Sequence, residues 1–200
     1  MKKGEKEFEQ LTVEVCGLPK FFQNVLFDKI DSSKSGKINK QHFITFFKRE
    51  FEKTDIKKRM FRVVVGTGND YITAEDFKPL FRQLLDTHPG LEFLQQTPEF
   101  QDRYADTVVM RIFYMVDAND DGKITFRDFK RSNLKDVFFN VAAEEDINKI
   151  REYFSYEHFY VLYCRFWELD TDHDFLIDKE DFSRYEGHAL SRKAVDRIFE

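Results

Sequence analysis

Residues 170 to 181 read DTDHDFLIDKED, with carboxylates at the first, third, fifth, ninth, eleventh and twelfth places. Acids at this density repel one another unless a cation or solvent lies between them, so the window is either an ion cage or an exposed acidic hairpin. The chemistry a cage would offer is coordination of a hard divalent ion, Ca2+ first, with Mg2+ as competitor. Phe175 stands at the sixth place, where such loops turn sharply and glycine is usual. A side chain forced into the left-handed region there costs about 1–2 kcal/mol, and unrelieved crowding of the carboxylates costs a comparable amount or more. The balance favours a cage built from Asp170, Asp172, Asp174, Asp178 and Asp181, with Leu176 giving its carbonyl.

The same frame recurs. DSSKSGKINKQH (31 to 42), VGTGNDYITAED (65 to 76) and DANDDGKITFRD (117 to 128) align with it. Each has isoleucine at the eighth place (Ile38, Ile72, Ile124, Ile177) and phenylalanine just after the twelfth (Phe43, Phe77, Phe129, Phe182). Apolar residues at spacings of three and four flank the loops, which predicts helix, acidic loop, helix: the EF-hand. The branched eighth residue then forms a short strand against a neighbouring loop. The expected fold is all-α, tandem EF-hand lobes with short paired loop strands, loop one pairing with loop two and loop three with loop four.

Among these windows 117 to 128 fits an ion best. Asp117, Asn119, Asp121, the Lys123 carbonyl and Asp128 are in register, and Gly122 supplies the turn. Asp128 replaces the usual glutamate, one methylene shorter, which weakens calcium and narrows its advantage over magnesium. Loop one keeps Asp31, Ser33, Ser35, Gly36 and Asn39 but ends in His42, whose nitrogen suits softer ions, and is expected to be empty or weak. Loop two lacks acids at its first and third places and is expected to serve as the structural partner of loop one.

His88-Pro89-Gly90 and Pro98 punctuate the chain. The expected organisation is a first lobe over 1–86, a connector over 87–101 and a second lobe over 102–200. A last helix begins behind Ser191, and the chain is expected to be part of a longer one. The 200 residues hold 24 phenylalanines, enough to pack helical modules around aromatic rings, and a formal charge of −5 that gives no broad footprint for nucleic acid. The locally basic stretch from Lys48 to Arg59 is expected to be a solvated helix face. Cys164 is expected to be a buried thiol, and the aromatic stripe from Tyr153 to Phe166, with Trp167, to be helix packing. No apolar run is long enough to span a bilayer, no signal-peptide pattern or phosphate-binding glycine loop is present, and no nucleophile, base and acid form a set. The expectation is a non-catalytic, cytoplasmic protein, with the nucleus as a second address, that engages neither membrane nor nucleic acid.

Two longer strings, IREYFSYEHFYVLYCRFWELDTDHDFLIDKEDFSRYEGHALSRKAVDRIF and LLDTHPGLEFLQQTPEFQDRYADTVVMRIFY, are more specific than any EF-hand frame. They resemble the B-double-prime class of regulatory subunits of protein phosphatase 2A, from about Leu18 onward. That resemblance implies an elongated set of EF-hand lobes that binds calcium, attaches to a helical-repeat scaffold subunit, touches the catalytic subunit and recruits phosphoprotein substrates. It also implies an ion at Asp170, Asp172, Asp174, Asp178 and Asp181 despite Phe175, and a second in the first hand, where His42 departs from the pattern. The alternative is a free-standing calcium sensor or buffer that takes up helical peptides.

Overall fold

A computed structural model describes residues 3–200. Among these residues lie eleven α-helices and two short strands: α1 Lys3–Gln10, α2 Gln23–Ile30, α3 Lys40–Glu50, α4 Ile56–Val64, β1 Tyr71–Ile72, α5 Ala74–Thr87, α6 Pro98–Val116, β2 Ile124–Thr125, α7 Phe126–Arg131, α8 Leu134–Ala143, α9 Tyr156–Leu169, α10 Lys179–Ser183 and α11 Arg192–Ile198. The protein is helical, as the repeated frame predicts, and among the described residues it has one small antiparallel ladder where the frame predicts two.

Helix starts are written locally. Asn39, Asp55, Thr125, Asp178 and Ser191 each accept a backbone N–H of the following turn, and capping boxes close α5, α7 and α10. Pro98 opens α6 at a place where its missing N–H costs nothing. In α5 the residues Phe77, Leu80, Phe81, Leu84 and Leu85 are all buried, the stripe that a 3.6-residue period puts on one face.

The pairing of the loops differs from the expectation. β1 belongs to loop two and β2 to loop three, with Tyr71 opposite Thr125 and Ile72 opposite Ile124. Loop two is therefore the partner of loop three, not of loop one. Burial explains the choice: Ile72, Ile124, Phe77 and Phe129 are all fully buried, whereas Ile38, Ile177, Phe43 and Phe182 are only half-buried. Only the two central hands find apolar cover for the repeated isoleucine and phenylalanine. Burying each such side chain contributes about 1.5–3 kcal/mol.

Two compact units form, Met1–Ser155 and Tyr156–Glu200, so the expected connector over 87–101 lies inside the first. Buried His88 ties it down: its Nε2 lies 3.0 Å from the carbonyls of both Val141 and Glu144, and its Nδ1 accepts the Gly90 N–H at 3.1 Å. A neutral ring with the proton on Nε2 satisfies all three contacts. Further on, the Tyr104 hydroxyl donates to the Phe154 carbonyl at 2.5 Å, and Arg111 donates to the Tyr153, Arg151 and Glu152 carbonyls. Edge-to-face rings continue the core from Phe21 and Phe22 through Phe138 to Phe154 and Phe81.

The basic stretch is only partly a solvated face. Lys57 Nζ donates to the Lys130 and Ser132 carbonyls at the end of α7, Lys58 lies 3.8 Å over the Phe126 ring, and Arg59 donates to the Cys16 carbonyl. These cations dock the fourth helix on its neighbours. In the second unit, the Lys179–Asp196 ion pair at 2.6 Å joins α10 to α11. Of the aromatic stripe Tyr153, Phe154 and Phe159 are buried while Tyr160 and Trp167 are exposed, so it packs in part only, and Cys164 is half-buried rather than buried.

Candidate metal centre

Three of the four loops make the same turn. The first-place aspartate accepts the sixth-place N–H through Oδ2: Gly36 on Asp31 at 2.6 Å, Gly122 on Asp117 at 2.8 Å and Phe175 on Asp170 at 2.9 Å. The sixth-place φ is +71° at Gly36, +73° at Gly122 and +67° at Phe175. Phe175 thus adopts the glycine conformation and carries its strain, about 1–2 kcal/mol. The fourth place is left-handed too, with φ of +54° at Lys34, +54° at Asp120 and +60° at His173. In the fourth loop both strained residues pack on Trp167: the His173 ring stacks on it at 3.9 Å and 9°, and the Phe175 ring lies 6.3 Å away. That stacking offsets part of the backbone cost and shows how the loop tolerates a phenylalanine.

The fourth loop also gathers its acids. Asp170, Asp172 and Asp174 place carboxylate oxygens within 4.8 Å of one another. Asp170 is fully buried, and its Oδ1 has no hydrogen-bond partner. A buried carboxylate oxygen left without a donor is costly, and a cation beside Asp172 and Asp174 is the group that fits. Asp172 accepts the Asp174 N–H at 3.3 Å and Asp174 accepts the Leu176 N–H at 2.7 Å, contacts that fix both carboxylates without exhausting their lone pairs.

Asp178 and Asp181 have another occupation. Asp178 Oδ1 accepts the N–H groups of Glu180 at 2.7 Å and Asp181 at 2.8 Å, capping α10. Asp181, itself buried, accepts the Thr171 hydroxyl at 2.7 Å on Oδ1 and the Asp178 N–H at 3.4 Å on Oδ2. The Thr171 hydrogen bond, with the Thr171 and Asp178 N–H groups and Arg184, outweighs burial and holds the Asp181 carboxyl below the usual carboxylate range.

The third loop, in which the ligand register is best, does not draw its acids into the same 4.8 Å grouping. Asp117 accepts the Asn119 N–H at 3.2 Å, Asp121 accepts the Lys123 N–H at 3.1 Å, and Asp128 accepts the Thr125 N–H at 3.0 Å and the Thr125 hydroxyl. Lys123 Nζ lies 5.0 Å over the Tyr71 ring, so this residue reinforces the strand pair with its side chain.

The first two loops are stabilised internally. Burial would raise the Asp31 carboxyl, but the Ser35 N–H and hydroxyl, the Gly36 N–H and the Ser33 hydroxyl all donate to it and hold it below the ordinary range. His42 donates its backbone N–H to Asn39 at 2.8 Å as part of a helix cap. At the second loop Lys29 Nζ donates to the Val65 carbonyl. Burial pushes the Lys29 ammonium down, and the charges of Asp76 and Glu50 oppose that push. A lysine amine therefore brings positive charge to a loop without first- and third-place acids. Lys29 lies outside that loop in sequence, and no spacing rule points to it.

Residues 55–144 match a family model of the EF-hand domain, a span containing the paired second and third hands. Over 195 residues, 97% of this chain, the sequence is 50% identical to an Arabidopsis thaliana protein described as a probable B''delta regulatory subunit of serine/threonine protein phosphatase 2A. Over nearly its whole length the chain is similar to B'' regulatory proteins. The human beta-type B'' regulatory protein of the same phosphatase is 40% identical over 94% of the chain. A solved chain of a PP2A PR70 holoenzyme, described as a di-calcium form, superposes with a TM-score of 0.70 at 47% identity, covering 72% of this chain and 55% of that one. The chain spans 36% of the length of the Arabidopsis B'' relative and 33% of the human one.

Proposed function

We propose that this chain forms the EF-hand region of a non-catalytic, calcium-responsive B'' regulatory subunit that targets protein phosphatase 2A. The observation that carries this reading is the match, at 47% identity, to a chain of a PP2A PR70 holoenzyme. In such an assembly this chain would contact the helical-repeat scaffold subunit and the catalytic subunit and would present phosphoprotein substrates to a metal centre belonging to the partner. The fourth loop is the ion site favoured by its geometry, because Asp170, Asp172 and Asp174 converge and Asp170 Oδ1 is orphaned. The residues that would hold Ca2+ are those three, with Leu176, Asp178 and Asp181 completing the loop. The third loop, through Asp117, Asn119, Asp121, Lys123 and Asp128, is a weaker second site. Ion binding would fix the helix angle on either side of the loop and so shape the docking surface. The proposed location is cytoplasmic, with the nucleus as a second address.

The test has two parts. Calorimetric calcium titration of the metal-free chain should show a site lost in Asp170→Ala, and a weaker site lost in Asp117→Ala. Capture by purified scaffold subunit, alone and with the catalytic subunit, should be stronger with calcium than with chelator. Capture that fails with both calcium and magnesium present would favour a free-standing sensor. Capture without any calcium binding would leave a calcium-independent adaptor.

A further inference from the structure

Each loop that ends in aspartate uses that aspartate to close a capping box: Asp76 with Thr73, Asp128 with Thr125 and Asp181 with Asp178. Asp181 carries an additional restraint. Arg184 Nη1 donates to Thr171 Oγ1 at 2.6 Å, and that hydroxyl donates to Asp181 Oδ1 at 2.7 Å, while the Thr171 N–H reaches the same oxygen at 3.3 Å and Arg184 lies 3.5 Å from it. A guanidinium that polarises a hydroxyl strengthens the bond the hydroxyl makes to a carboxylate. Oδ2, by contrast, has one long contact, the Asp178 N–H at 3.4 Å.

We infer, given the cation site proposed above, that Thr171 and Arg184 form a latch on Asp181 Oδ1 that sets the ion preference of the fourth hand. With Oδ1 held, Asp181 offers an ion one oxygen at most, from Oδ2. Calcium gains from a twelfth-place carboxylate that gives two oxygens, whereas magnesium, small and octahedral, is served by single oxygens and water. The latch therefore lowers calcium affinity and leaves magnesium affinity nearly unchanged. The latch joins the second residue of the loop to the first turn after it, so it also holds the two ends of the loop together. Asp170 Oδ1, buried and without a donor, keeps the demand for a cation while the latch selects which one.

Trp167 gives the readout, since it is the only tryptophan in the chain and stacks on His173 inside the loop. Calcium and magnesium titrations of the 200-residue chain, followed by Trp167 fluorescence and by calorimetry, are compared for wild type, Thr171→Val, Thr171→Ser, Arg184→Met and Asp170→Asn. Thr171→Val should raise calcium affinity roughly tenfold, the scale of one hydrogen bond to a charged group, with less than about a twofold change for magnesium, and Arg184→Met, which also removes a positive charge, should raise calcium affinity by a larger factor than magnesium affinity. Thr171→Ser keeps the hydroxyl and should match wild type, and Asp170→Asn should lose binding. Calcium affinity unchanged or weakened in both latch variants, with binding otherwise intact, would overturn the latch and leave the cation site standing. Binding that appears only when the latch is removed would support it in a stronger form. Absence of binding in every variant would overturn both. Arg184 is an exposed side chain, so its variant keeps the test readable if Thr171→Val fails to fold, which metal-free circular dichroism would reveal.

Discussion

Ile72 and Ile124 lie opposite one another across the only strand pair among the described residues, both fully buried, and they join the second hand to the third. Truncating either removes buried core volume. Ile124→Ala should destabilise the protein by about 2–5 kcal/mol. Ile38→Ala and Ile177→Ala, at equivalent but half-buried places, should cost less than half as much. Urea denaturation of the three variants measures the difference, and equal losses would contradict the pairing.

Gly90 is required for space. A Cβ there would stand 2.5 Å from the Glu145 carbonyl oxygen and 2.9 Å from the Ile147 nitrogen, both backbone atoms that cannot swing away. Gly90→Ala should therefore cost about 1–3 kcal/mol and loosen the contact of His88 with the end of α8. Thermal unfolding, with hydrogen exchange of the Gly90 and Glu144 amides, would show the effect. A melting temperature equal to wild type would mean that the connector docks differently.

Asp31 links loop one to acid stability. Because its carboxyl ionises below the ordinary range when folded, its contribution is complete above the unfolded value near pH 4. The contribution is lost as pH falls through the lower folded value. Asp31→Asn should be less stable than wild type at neutral pH, and its stability should fall less steeply on acidification from about pH 5 to about pH 2. Denaturant melts along that series test it, and parallel curves for the two proteins would remove Asp31 as a source of the slope.

The two cysteines should react at different rates. Burial pushes the Cys16 thiol up to about 11, with the Arg59 charge only partly opposing it, and the side chain is fully buried. Cys164 is half-buried on α9. At pH 8 a thiol reagent should modify Cys164 first and reach Cys16 only when the first unit opens. Peptide mapping after timed alkylation distinguishes the two, and prompt labelling of Cys16 would contradict its burial.

The repeated hand, its helix caps and the acidic register of the fourth loop are written in the amino-acid sequence, because they rest on periods and spacings within about fifteen residues. Asp170, Asp172 and Asp174 were legible as a cluster since alternate places around one turn must meet. Partner choice was not legible. All four windows carry isoleucine at the eighth place, so the sequence offers several equivalent pairings. Tertiary burial selected Ile72 with Ile124. The same holds for His88, which reads as a turn signal but bonds to α8 more than fifty residues away, and for Lys29, whose amine reaches a carbonyl of the next loop. Asp181 shows a different limit: its place in the frame marks it as an ion ligand, but the frame does not say that Thr171, ten residues before it, and Arg184, three after it, take its Oδ1. Local spacing fixes which groups can meet within a turn; which distant donor reaches them first depends on how the helices pack.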